Sequence, residues 1–61
     1  MAGKFVLKQD KAGEYRFNLV AGNGEVVASS EGYKRKDSAL NGIESVRRWA
    51  AEAEVDDQTD N

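Results

Sequence analysis

An α+β fold is predicted for this 61-residue chain by three observations. Residues in the first half alternate apolar and polar with the period of a half-buried strand, glycine-containing turn signals interrupt that alternation twice, and from about Lys36 the period becomes the 3.6 of a helix. The expected order is three strands and then a helix. The strands form an antiparallel meander, and the helix covers its apolar face.

The first strand is "KFVLKQ", residues 4 to 9, with Phe5 and Leu7 on one side and Lys4, Val6 and Lys8 on the other. "DKAG" ends it, because Asp10 suits the first position of a type I turn and Gly13 the left-handed residue that closes a hairpin. "EYRFNLV", residues 14 to 20, alternates again: Tyr15, Phe17 and Leu19 face one way, Arg16 and Asn18 the other. In "AGNGE", Asn23-Gly24 predicts a tight hairpin turn with positive φ at its centre. The third strand is "EVVAS", residues 25 to 29, and "SEGYK" leads out of the sheet. The apolar face then comprises Phe5, Leu7, Tyr15, Phe17, Leu19, Val26 and Ala28.

Ala39, Ile43, Val46 and Ala50 lie on one helical stripe, flanked by Leu40 and Trp49, while Asn41, Glu44, Ser45, Arg48 and Glu52 fill the rest of the circumference. Asp37 and Ser38 favour the first turn and Arg47 and Arg48 the last, whereas Arg35 and Lys36 sit at the wrong end of the dipole. The helical stripe continues through Asn41-Gly42, so this second Asn-Gly is helix rather than turn. Gly42 costs about 1 kcal/mol relative to alanine in a helix interior. Its position at the edge of the stripe suggests the close approach of another backbone or a large ring. Val55 alone is apolar in the acidic stretch that follows, and the pattern leaves that stretch as tail.

A chain of this length is one domain, spanning 1–61, and buries only about 60% of the surface its unfolded form exposes. Such domains rely on disulfides, metals, oligomerisation or very regular packing. Without Cys or His, the chain can form no disulfide, and a zinc site is not expected, nor any cofactor. No apolar run approaches a membrane span, and the first residues lack the apolar core of a signal peptide, so a soluble, cytoplasmic protein is expected. Residues 1 to 50 carry nine Lys/Arg against six Asp/Glu, and residues 51 to 61 carry five acidic and no basic residues. The body is mildly basic and the tail acidic.

Catalytic readings find little support. "GNG", residues 22 to 24, lacks the length, the helix and the Lys-Ser/Thr of a phosphate-binding loop. The carboxylates Asp10, Glu14, Glu25, Glu31 and Glu44 have no convergent spacing, and no nucleophile system accompanies them. We therefore expect no enzyme. Tyr33, Lys34, Arg35 and Lys36, with Arg47 and Arg48, are the candidate nucleic-acid patch, in which an exposed Tyr33 would stack on a base. The plainer reading is a solvated basic corner with Tyr33 packed under the helix, and a pI near 5.0 favours it. Trp49 is the candidate centre of an interface. A small binding or accessory module is the leading expectation, and weak nucleic-acid binding the alternative.

The motifs GEYRF (13–17), NGEVVASSEGY (23–33) and NGIESV (41–46), in that order and spacing, resemble those of the YegP-like family of small, uncharacterised bacterial proteins. The likeness runs from Lys4 to about Asp57. It implies a β-β-β-α-β unit that occurs as a tandem repeat or as a single copy forming a homodimer, with a shared sheet and exchanged C-terminal strands. On that resemblance Ala53 to Asp57 becomes a swapped strand, order extends over about 3–57, 58–61 is an acidic tail, and Gly42, Trp49 and Val55 become candidate interface residues. Two departures stand out: Arg35 occupies the place of a small capping residue, and Trp49 that of a polar one. The family brings no established activity, substrate or catalytic residues.

Overall fold

The computed structural model describes residues 2–60. It contains β1 (Lys4–Gln9), β2 (Tyr15–Val20), β3 (Val26–Ser29) and α1 (Lys36–Ala50), with the strands in the antiparallel order β1-β2-β3. Phe5 pairs with Leu19 and Leu7 with Phe17, and Leu19 pairs with Ala28, so the expected face is in register, but every residue of β3, Ala28 included, is exposed. Val26 departs from the pattern. The register shifts between Leu19 and Val20, Val26 comes opposite Val20, and its side chain is exposed.

Both hairpins use one loop geometry. In the first, the Asp10 N–H donates to the Glu14 carbonyl at 2.8 Å and the Gly13 N–H to the Asp10 carbonyl at 3.0 Å, with Gly13 at φ 85°. In the second, the Ala21 N–H donates to Glu25 at 2.8 Å and the Gly24 N–H to Ala21 at 2.9 Å, with Gly24 at φ 93°. This is the three-residue loop, a turn followed by one left-handed glycine. The turn expected at Asn23-Gly24 is corrected in kind, because among the described residues only glycines have positive φ. With Ala21 and Glu25 closing the loop, Gly24 alone reverses the chain.

The first loop is held by a side chain. Asp10 Oδ1 accepts from the N–H groups of Ala12 and Glu14, each at 2.9 Å, and Oδ2 accepts from Arg16 Nε at 2.7 Å. Arg16 stands directly opposite Lys8 in the ladder, an unfavourable like-charge pair that its engagement with Asp10 relieves. The Arg16 hydrogen bond, reinforced by the Glu14 and Ala12 N–H groups, holds the Asp10 carboxyl below its usual range. A carboxyl depressed in the folded state contributes stability above its unfolded value and loses it as pH falls. Asp10→Asn is therefore expected to lower stability at neutral pH and to flatten its decline below about pH 4, as followed by urea midpoints across an acid series.

Beyond β3 the chain stays beside β2. The Ser30 N–H donates to the Phe17 carbonyl at 2.9 Å, and Ser30 Oγ accepts from the Phe17 N–H at 2.9 Å and donates to the Glu31 carbonyl at 2.8 Å. A hydroxyl thus takes the place of a carbonyl in the ladder. Tyr33 then forms a bridge with Tyr15 through two backbone hydrogen bonds, at 2.7 and 2.8 Å.

Helix α1 starts within three residues of that bridge and packs across β2. Its N-cap is Arg35, which makes no side-chain capping hydrogen bond; the guanidinium reaches Asp37 instead, at 2.8 and 3.0 Å. Serine at this position accepts from the first-turn N–H groups, so Arg35→Ser is expected to stabilise the fold by about 1 kcal/mol, measured as a rise in the urea midpoint. Burial is sparse: among the described residues, Phe17, Ala39 and Ile43 are the buried apolar ones. Val46 and Gly42 are half-buried, while Leu40 and Ala50 are exposed, so the stripe is only partly covered.

Candidate functional site

Phe17 lies at the junction of sheet and helix, its ring edge-on to Phe5 at 6.0 Å and 71°, and stacked on Tyr33 at 6.2 Å and 13°. Tyr33 passes beneath α1 at Gly42. A Cβ built on Gly42 would lie 2.7 Å from the Tyr33 hydroxyl, 3.1 Å from its ring and 3.2 Å from Phe17. The large ring that Gly42 admits is therefore Tyr33 of the same chain. One ring face of Tyr33 is already stacked, and the residue is half-buried.

The basic residues do not converge. Lys34, Arg35 and Lys36 stand at the start of α1, and Arg47 and Arg48 in its last turn, about 16 Å further along an α-helix of this length. Arg35 is paired with Asp37; Arg47 pairs with Glu44 at 3.3 Å and lies over the Phe5 ring, 5.8 Å from its centroid. What is contiguous in "YKRK" is separated from Arg47 and Arg48 by the helix.

Two concavities flank the helix, one at each end. The first, about 370 Å³, is lined by Leu7, Lys8, Gln9, Tyr15 and Lys36. The second, about 540 Å³, is lined by Gly3, Lys4, Phe5, Leu19 and Arg47. Each joins apolar side chains of β1 to two cations, and neither lining includes a carboxylate. Lys4 and Lys8 were not expected beside a site, because strand alternation assigns them to the opposite face and only the β1 edge brings them round. The groups with displaced pKa lie elsewhere: Asp10 and Arg16 in the first hairpin, and Asp57, lowered by the hydroxyl and N–H of Thr59. Among the described residues no three His, Cys, Asp or Glu side chains are placed to hold a metal ion, and no helix is long and apolar enough to cross a membrane.

The candidate interface residues occupy different settings. Gly42 faces Tyr33 and Phe17; Trp49 is 69% exposed and Val55 94%. Val26, Val27 and Leu40 are exposed as well. Ala53 to Asp57 forms no strand within the single chain.

These features define a small α+β unit, a three-stranded meander and one helix, whose accessible features are open surfaces. The chain belongs to the family described as a domain of unknown function (DUF1508), whose model matches residues 10–57. That membership bears out the resemblance carried by its motifs. It is similar to a UPF0339 protein of Agrobacterium fabrum, 57% identical over 56 residues that make up 92% of this chain and 90% of that protein. A UPF0339 protein of Pseudomonas aeruginosa is 62% identical over 48 residues, 79% of this chain but 44% of that longer protein. The solution NMR structure of a protein from Haloferax volcanii superposes with a TM-score of 0.82 at 42% identity, covering 92% of this chain and 95% of that one. None of these names assigns a reaction.

Proposed function

We propose that the chain works as a homodimer, a small binding or accessory module of the cytoplasm without a catalytic site, in which Ala53 to Asp57 of each copy adds a strand to a shared sheet. The observation that carries this reading is surface area. Folded monomers of 6.7 kDa expose about 3,900 Å², and this chain exposes 5303 Å². The excess, roughly 1,400 Å², is larger than the ~800 Å² each partner contributes to a standard interface. Segment 51–60 is exposed throughout, and so are apolar side chains such as Trp49 and Val27.

The longer relatives support pairing in another way. The Pseudomonas aeruginosa protein has room for a second unit beside the one matched here. The non-catalytic part of the proposal is supported by a family name that assigns no reaction and by concavities lined with no carboxylate to act as a general acid or base. The cytoplasmic assignment is supported by the absence of cysteine.

Sedimentation equilibrium over a wide concentration range tests the dimer. The expected mass is twice 6.7 kDa and persists on dilution, and Val55→Asp shifts it toward the single chain. A folded species with the mass of one chain at every concentration would overturn the proposal.

A further inference from the structure

We propose that Asn23 is a site of spontaneous deamidation in the folded protein and that Asn41, the other Asn-Gly asparagine, is protected. Chemically the two dipeptides are identical. Only their surroundings differ.

Asn23 sits in the exposed β2–β3 loop. Its Oδ1 accepts from the Glu25 N–H at 3.1 Å, an Asx turn that folds the side-chain amide forward over the Gly24 peptide and polarises its carbonyl. A Cβ built on Gly24 would have nothing within 4 Å, so neither a side chain nor a neighbour obstructs ring closure. The Gly24 N–H bond to Ala21, at 2.9 Å, must open first, and it lies at the surface of a loop tip.

The reaction needs only water and base. The Gly24 nitrogen, having given its proton to a solvent base, attacks Asn23 Cγ. An N–Cγ bond forms, the Cγ–Nδ2 bond breaks, and the amide nitrogen takes up a proton and leaves as ammonia. Water then opens the cyclic imide at either carbonyl, leaving aspartate or isoaspartate at position 23. No electrons are exchanged with an external partner. Each event adds one negative charge, and the isoaspartate product adds a methylene to the backbone of the loop that carries β3.

At Asn41 the same closure would have to unwind the middle of α1. The Gly42 nitrogen lies within the helical ladder, and Gly42 is packed against Tyr33 and Phe17. Asn18, in β2, is followed by Leu19, whose side chain hinders attack.

Trypsin separates the two sites, because Phe17–Lys34 holds Asn23 and Asp37–Arg47 holds Asn41. The full chain is incubated in mildly alkaline buffer, folded and in concentrated urea, and the peptides are followed by mass spectrometry with fragmentation. In urea both peptides should convert at similar rates. In the folded protein Phe17–Lys34 should convert at Asn23, as aspartate and isoaspartate, with Asp37–Arg47 at least about tenfold slower because helix opening limits it. Asn23→Gln should abolish the gain. The proposal is overturned if folded Asn23 reacts no faster than Asn41, or if the gain persists in Asn23→Gln.

Discussion

Phe17→Ala is expected to abolish the cooperative fold at physiological temperature. A buried Phe→Ala change costs about 3–5 kcal/mol, and a domain of this length has of the order of 3–9 kcal/mol in total. The effect should fall toward the upper end here, since Phe17 is one of three buried apolar residues among those described and touches both Phe5 and Tyr33. Its loss also removes the surface on which Tyr33 stacks beneath the helix. Urea titration by circular dichroism would show the transition vanish or shift to very low denaturant. An unchanged midpoint would mean that the aromatic cluster does not organise the fold.

Gly42→Leu is expected to destabilise by about 3 kcal/mol, although helix propensity alone favours leucine over glycine by nearly 1 kcal/mol. The sign reverses because the space is taken by Tyr33, whose backbone is tied to Tyr15 and cannot easily move aside. Gly42→Ala separates the two effects more finely. Overpacking of about 1–3 kcal/mol opposes the propensity gain, so the net change should be a loss. Tyr33→Phe removes the nearest atom, and in that background Gly42→Ala should cost measurably less. A double-mutant cycle on urea midpoints gives the coupling directly. Equal costs in the two backgrounds would contradict the close approach described here.

The elements were legible because each has its own period. β1 matches its expected bounds, β2 and β3 each begin one residue later than expected, and α1 starts at Lys36 as the change of period requires. The start of β2 and β3 is set by the loop-closing residues Glu14 and Glu25, whose backbone groups serve the turns. Arg35 was legible as a departure from the small capping residue that the family resemblance implies there, and it makes no capping bond.

What depended on tertiary placement was less legible. Periodicity marks Gly42 as a point of close approach but does not say which ring comes there; that needs the Tyr15–Tyr33 bridge. Asn-Gly implies positive φ, but whether one or two residues carry it depends on which pair closes the loop. The contiguous basic string hides the length of the helix between Lys36 and Arg47. Nothing in the sequence brings Lys36 beside Lys8, or Arg47 over Phe5, because those neighbours belong to elements distant along the chain.

The path of the chain also bears on how quickly it folds. β1 pairs with β2, β2 with β3, and α1 starts just after a residue already tied to β2, so much of the packing joins segments close in sequence. Loop closures of this kind are short, and proteins rich in local contacts reach their native state fastest. Each chain can therefore assemble its meander and helix before it meets another. In the proposed homodimer, pairing then joins copies that are already folded, and its rate depends on concentration.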